Sequence, residues 1–236
     1  MKLEKLTDSR RSEAKRRYDD ACAATHGMDI IGERWALPVM RELMLGPRRF
    51  SELRRSLPRL SANVLTQRLE GLEEAGIVRR EKRPPPASVQ VYALTPWGQE
   101  AGPVFQALGR WAARSPAHDP TRPFSAVSLM LSLRTMFSAE RAGDLTLRVG
   151  LAFGEDAFRF TLDRGAVEIG RGLPDDPDLA LGGTTQGVAA LVYAGVPADE
   201  LERSGALTIQ GDRDALARFS TLFPPPPKIG AEPTDP

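Results

Sequence analysis

Two amide side chains one helical turn apart carry the sharpest chemical signal in this chain of 236 residues. Asn63 and Gln67 sit in the run Ser61-Ala62-Asn63-Val64-Leu65-Thr66-Gln67-Arg68-Leu69. On a helical projection Leu65, Leu69 and Leu72 fall within about 60° of one another, which leaves both amides on the opposite side. A side-chain amide bonds bidentately to adenine N6 and N7 in a DNA major groove, and Thr66, beside them, suits a thymine methyl. Ser61 is placed to cap the helix N-terminus and completes the candidate base-reading set Ser61, Asn63, Thr66 and Gln67. Glu70 and Glu74 continue the outer face, where phosphates would repel them. Such a helix therefore enters a groove by its N-terminal end, whose dipole also favours the anionic backbone. A merely solvated helix face would carry the same amides, so their meaning depends on what surrounds them.

Cations surround them. Arg48 and Arg49 precede one short helix, Arg54, Arg55 and Arg59 flank a turn, Arg68 lies on the amide-bearing helix, and Arg79, Arg80, Lys82 and Arg83 follow along a hairpin. These are the candidate backbone contacts, because neutralising phosphates releases condensed counterions. Some have carboxylates nearby: Arg54 and Arg80 have Glu70 and Glu81 as alternative partners. The wider charge distribution agrees. Residues 1–116 hold 21 Lys and Arg against 14 Asp and Glu, a net +7, and residues 117–236 hold 11 against 17, a net −6, which together make the chain's +1. Only the first half is suited to a polyanion.

The elements that position these groups follow from periodicity and punctuation. Met28 to Leu45 reads as one helix with Ile31, Trp35, Val39 and Leu43 at four-residue steps, kinked by Pro38 and stopped by Gly46-Pro47. Phe50 to Leu57 is a second helix, Pro58-Arg59-Leu60 a turn, and Ala62–Ala75 a third helix closed by Gly76. Ile77–Lys82 and Val89–Leu94 are strands around a stiff tip at Arg83-Pro84-Pro85-Pro86, and Thr95-Pro96 starts a last helix reaching about Trp111. That order is a winged helix-turn-helix. Val104, Leu108 and Trp111 form an apolar stripe on its last helix, for a second copy of the chain or for the domain's own core.

The expected division is a basic extension over 1–20, the winged domain over 21–114, a linker over 115–123 with three prolines, a second domain over 124–223, and a flexible tail over 224–236 that starts with four prolines. In the second domain Leu145, Leu147, Val149, Leu151 and Phe153 alternate on one strand face, and Phe158, Phe160 and Leu162 repeat the pattern after a turn. Further short strands fall at 166–169, 179–181 and 207–209, with helical patterns over about 126–137, 184–194 and 213–223. The predicted class is two-domain: a mainly-α winged helix-turn-helix followed by an α+β domain with helices over one sheet face.

The ordered motifs Cys22…Asp29-Ile30-Ile31-Gly32-Glu33-Arg34-Trp35, Gly46-Pro47-Arg48-Arg49-Phe50-Ser51-Glu52-Leu53, Leu60-Ser61-Ala62-Asn63-Val64-Leu65-Thr66-Gln67-Arg68-Leu69 and Val91-Tyr92-Ala93-Leu94-Thr95-Pro96-Trp97-Gly98 resemble the HxlR-type bacterial transcription regulators over about residues 20–114. The resemblance implies a homodimer on a pseudo-palindromic operator in double-stranded DNA, joined through the N-terminal segment and the domain's last helix. It also points to Cys22, which matches a cysteine that several members use as a redox sensor, although Ala23 stands where the family usually has proline. A lone cysteine is also commonly a small buried hydrophobe. The ending Ser204-Gly205-Ala206-Leu207-Thr208-Ile209-Gln210-Gly211-Asp212 resembles the sterol-carrier-protein-like fold. That implies an apolar effector pocket lined by Leu133, Phe137, Phe158, Phe160 and Leu191, though a packed core needs the same apolar faces.

Several function classes drop out. No stretch approaches the roughly 18 apolar residues a membrane span needs, and the N-terminus has no signal-type apolar region, so no membrane insertion and a cytoplasmic location are expected. One cysteine and two histidines cannot assemble a zinc-type cluster, so no metal and no cofactor are expected. His26 and His118 are poorly placed for a catalytic triad and no phosphate-cradling glycine motif occurs, so the chain is not expected to be an enzyme. The competing reading is a lipid-binding carrier whose basic domain docks on anionic surfaces without reading sequence.

Overall fold

Trp35 breaks the first apolar run. The computed structural model describes residues 18–84 and 88–230. In it the run expected as one kinked helix is two: α1 (Ala23–Ile31) and α2 (Ala36–Leu43), separated by a turn in which Trp35 takes the left-handed φ of 79°. Pro38 kinks nothing. It stands in the first turn of α2, where an amide hydrogen would have no intrahelical acceptor, and Val39 N–H starts the ladder on the Trp35 carbonyl at 3.0 Å.

From there the elements follow the expected order. α3 is Phe50–Ser56 and α4 is Ala62–Glu74, with the Ser61 hydroxyl accepting from Val64 N–H at 3.3 Å. Gly76, at φ 73°, lets the chain leave α4, and Ile77 N–H reaches back to the Leu72 carbonyl at 2.9 Å. β1 (Val78–Lys82) and β2 (Gln90–Leu94) pair antiparallel from Val78 opposite Leu94 to Lys82 opposite Gln90. Arg83 N–H to the Val89 carbonyl closes the tip, whose residues 85–87 lie outside the described set. Arg48 bonds Tyr92 in both backbone directions, adding a short third rung to the wing. The last helix is jointed: α5 (Pro96–Glu100), capped by Thr95, runs into α6 (Gly102–Ala113). Gly98 is needed in α5, because a Cβ there would strike the Ile77 carbonyl. Val39, Met40, Leu43, Leu53, Leu65, Leu69, Leu72 and Ile77 close one core.

The second core is separate. Ser125 caps α7 (Ala126–Met136), and the short α8 (Ala139–Ala142) leads into β3 (Thr146–Phe153) and β4 (Asp156–Asp163), joined by a turn at Gly154-Glu155 with Phe153 opposite Asp156. β5 (Ala166–Arg171), β6 (Leu179–Gly183) and β7 (Leu207–Gly211) complete a five-stranded sheet in the order β5-β4-β3-β6-β7, in which only β3 and β6 run parallel. α9 (Thr185–Ala194), α10 (Ala198–Arg203) and α11 (Arg213–Ser220) make up the rest. The short helices α8 and α10 carry too few residues for a periodic signal.

Two expectations for this half are corrected. Leu133, Phe158 and Phe160 are fully buried, and Phe160 stacks edge-on against Phe219 and Phe223 at 5.4 and 5.7 Å between centroids. Phe137 packs on the same cluster, and Leu191 is buried at the edge of a small hollow of about 350 Å³. Four of the five residues assigned to an effector pocket, Leu133, Phe137, Phe158 and Phe160, therefore pack in or against the core, and of the five Leu191 borders a hollow. The tail is also not free. Residues 224–228 have no regular secondary structure and 229–230 form a turn, but Ile229 N–H bonds the Arg114 carbonyl at 2.8 Å and Lys228 Nζ bonds the Ser115 carbonyl at 3.0 Å.

Candidate nucleic-acid interface

α4 presents what the periodicity requires. Leu65, Leu69 and Leu72 are no more than 2% exposed, while Asn63, Thr66 and Gln67 stand in solvent and bond no described residue. Ser61 is exposed at the tip, but its hydroxyl oxygen is engaged as the cap. Burying each leucine stabilises the helix by about 1.5–3 kcal/mol, so the core fixes the angle at which both amides project. Glu70 is exposed further along the same face.

The cations separate into three groups. Arg49, Arg54, Arg59, Lys82 and Arg83 are exposed and form no ion pair with a described residue. Arg55, Arg79 and Arg80 are half exposed, but Arg55 pairs with Glu155 at 2.6 Å, Arg79 with Glu81 at 2.6 Å, and Arg80 with Glu73 at 3.0 Å while lying over the Tyr92 ring. Part of their charge is spent within the chain.

Arg48 and Arg68 are corrections. Arg48 is 2% exposed, since its backbone is sewn to Tyr92 in the wing, and its guanidinium turns inward to Asp156 at 2.8 Å and Ser56 at 3.1 Å. Arg171 meets the same carboxylate at 3.0 Å; burial, and next the Arg48 charge, lower its pKa. Arg68 bends along α4 to Glu33 at 3.2 Å, and its Nε is buried. Neither side chain is presented to a phosphate. Arg48 instead ties the winged unit to the second one, a role that no local pattern announces because Asp156 is 108 residues away. A second tie is Glu42, wholly buried, which accepts from Arg41 and from the Ser125 hydroxyl at 2.6 Å. A third is Arg110 on α6, which donates to the Thr135 carbonyl on α7.

Among the described residues, nothing buries the stripe on α6. Trp111 is 69% exposed, Val104 51% and Leu108 40%, and α1 likewise has no buried residue, with Met28 exposed. Cys22 is an exposed free thiol at the N-cap of α1. Backbone N–H groups of Thr25 and Ala24 hold its pKa below the usual thiol range. The neighbouring Lys15, Arg16 and Arg17 lie outside the described residues. No described helix is long and apolar enough to cross a membrane.

Comparison with known proteins bears on the winged half. Residues 30–119 match the family model of the HxlR-like helix-turn-helix. The uncharacterized HTH-type transcriptional regulator YvaP of Bacillus subtilis (strain 168) is 36% identical over 85 residues, 36% of this chain and 79% of YvaP. The HTH-type transcriptional regulator YodB of the same organism is 36% identical over 83 residues, 35% of this chain and 74% of YodB. Among solved structures, the reduced form of B. subtilis YodB is 31% identical, covering 42% of this chain and all of that one with a TM-score of 0.39. The relatives are named as regulators of transcription and not as enzymes.

Proposed function

The chain belongs to the HxlR-like helix-turn-helix family of transcriptional regulators, and from that premise we propose that it reads a pseudo-palindromic operator in cytoplasmic double-stranded DNA as a homodimer. The observation that carries this reading is the exposed, unbonded pair Asn63 and Gln67 at the N-terminal end of a helix whose other face is locked by three buried leucines. Asn63, Gln67 and Thr66 read base edges, with Ser61 at the groove edge as the cap. Arg49, Arg54, Arg59, Lys82 and Arg83 hold the phosphates, helped by Arg55, Arg79 and Arg80 when DNA competes with their carboxylates. A second copy covers Val104, Leu108 and Trp111, since three large apolar side chains in solvent on one helix face mark an association surface.

The units are residues 21–114 for DNA and 124–223 for an effector or for added dimer surface, joined by 115–123. The α+β half is proposed to be a sterol-carrier-like module, which suits the mixed sheet with β3 and β6 parallel. The carrier alternative is not favoured, because docking on anionic surfaces needs no exposed amides at a helix tip.

Mobility shift with genomic fragments and competitor DNA tests the reading. Selective fragments should survive a large excess of random duplex. Binding that ignores sequence and disappears at moderate salt would support the carrier instead.

Cys22 supports a second, narrower reading as a thiol sensor, because it is exposed and its thiolate is favoured by N–H groups at a helix start. The lowered pKa sets the sign: alkylation by iodoacetamide should speed up as pH rises through a midpoint below that of a free thiol. Operator binding by Cys22→Ser should lose any response to oxidant. An identical response in the variant would exclude sensing.

A further inference from the structure

A hollow of about 850 Å³ lies between the two units, outside both cores. Leu37 of α2, Met44 at its C-cap and Phe105 of α6 form one wall, Leu131 of α7 forms the other, and the Pro225–Lys228 strap crosses one side. The volume lies in the range of small-molecule sites, about 300–1,000 Å³, and the lining is largely apolar with a few polar groups, as such sites require.

The polar groups do not balance in charge. Arg41 is held by Glu42 at 2.8 Å, and Arg122 by Asp119 at 3.3 Å. Arg134, which lines the hollow one helical turn beyond Leu131, has no carboxylate: Nη2 donates to the Ile169 carbonyl at 3.3 Å, and no described residue forms an ion pair with it. Lys228 likewise forms no ion pair with a described carboxylate: its Nζ donates to the carbonyls of Ser115 and His118 and lies 3.5 Å from the His118 ring. Tyr193 and Ser132 bond each other at 2.7 Å, and burial holds the Tyr193 phenol far above its usual pKa, so this pair stays neutral. Burial also lowers the pKa of Arg134, because desolvation disfavours the charged form.

We propose that this hollow is a binding site for an organic carboxylate with a large apolar body, its carboxylate on Arg134, with Lys228 adding positive charge, and its body along the α2–α6 wall. A planar guanidinium with free N–H groups suits a carboxylate bidentately. The hollow is built from both units, so a bound molecule holds α6, which carries the exposed Trp111 stripe, against α7. Resting on the regulator reading, occupancy then sets how the two DNA-reading units of a dimer are presented.

Calorimetry on the full chain without DNA, comparing decanoate with decanol, tests the site. Decanoate should bind at one per chain and at least about ten-fold tighter than decanol. Arg134→Gln should abolish that preference while decanol binding stays unchanged, and Gly109→Leu, which fills the α6 wall facing Thr135, should weaken both. Equal affinity for the two probes, absence of binding, as when a second copy occupies the groove, or an intact preference in a folded Arg134→Gln overturns the site. Should Arg134→Gln fail to fold, the comparison of the two probes on the unaltered chain still decides. A separate mobility shift with and without decanoate reads the coupling. At least a three-fold change in DNA affinity is expected, and an unchanged affinity with decanoate bound overturns the coupling while leaving the site standing.

Discussion

α4 and α6 carry the same sequence signal and meet opposite fates. Leu65, Leu69 and Leu72 are almost wholly enclosed, whereas Val104, Leu108 and Trp111, at the same kind of spacing, are 40–69% exposed. Helical periodicity states that a face is apolar and does not state what covers it. α4 is clamped between α2 and the wing, so its stripe is satisfied within the chain and its polar face is left rigidly outward. α6 follows the wing at the margin of the domain, and its inner side, through Phe105, is all that the domain can use. One helix is thereby a reading head and the other a candidate handle for a second copy.

The contrast can be broken by substitution. Leu69→Ala opens a cavity in a closed core and should cost about 2–5 kcal/mol, read as a lowered midpoint in urea. Trp111→Glu should leave the unfolding of each chain nearly unchanged and weaken association by about 2 kcal/mol or more, read as a shift to monomer in sedimentation. A large loss of chain stability in Trp111→Glu with association intact would reverse the assignment of the two stripes. Arg48→Met lies between them in kind. It removes the tie from the wing to Asp156 and should cost about 1–3 kcal/mol, splitting one urea transition into two as the units uncouple.

The smaller effects sharpen the reading of α4. Asn63→Ala should cost about 1–3 kcal/mol at particular operator base pairs and almost nothing on random duplex. Arg83→Ala should weaken all sequences alike and reduce the slope of log affinity against log salt by about 0.9. A uniform loss from Asn63→Ala, measured on a panel of single-base operator variants, would remove the amides from base readout.

Much of this was legible locally. The Ser61 cap, the Gly76 stop, the wing strands and the alternation in β3 and β4 each depend on residues within a few positions of one another, and the structure places them within a residue or two of the expected bounds. The break at Trp35 is not legible, since the local pattern marks Pro38 as the irregular position and the left-handed turn lies three residues before it. Nor was the fate of Arg48, which has the composition of a phosphate contact and the surroundings of a buried ion pair. Phe158 and Phe160 present a related case. Alternation predicts an inward face, and only the packing of Phe219 and Phe223 against it decides between a core and a cavity.

The order of elements and the side chains that α4 turns outward were fixed by the chain's local pattern, because they follow from backbone propensity, capping and helical period, while the ordered motifs of the winged half carried its family resemblance. The tertiary structure alone decided which arginines remain free, that α6 keeps an uncovered stripe, and that the large hollow lies between the units with Arg134 uncompensated. Those outcomes depend on groups separated by dozens of residues, whose charge pairing and desolvation exist only once the two cores have packed against each other.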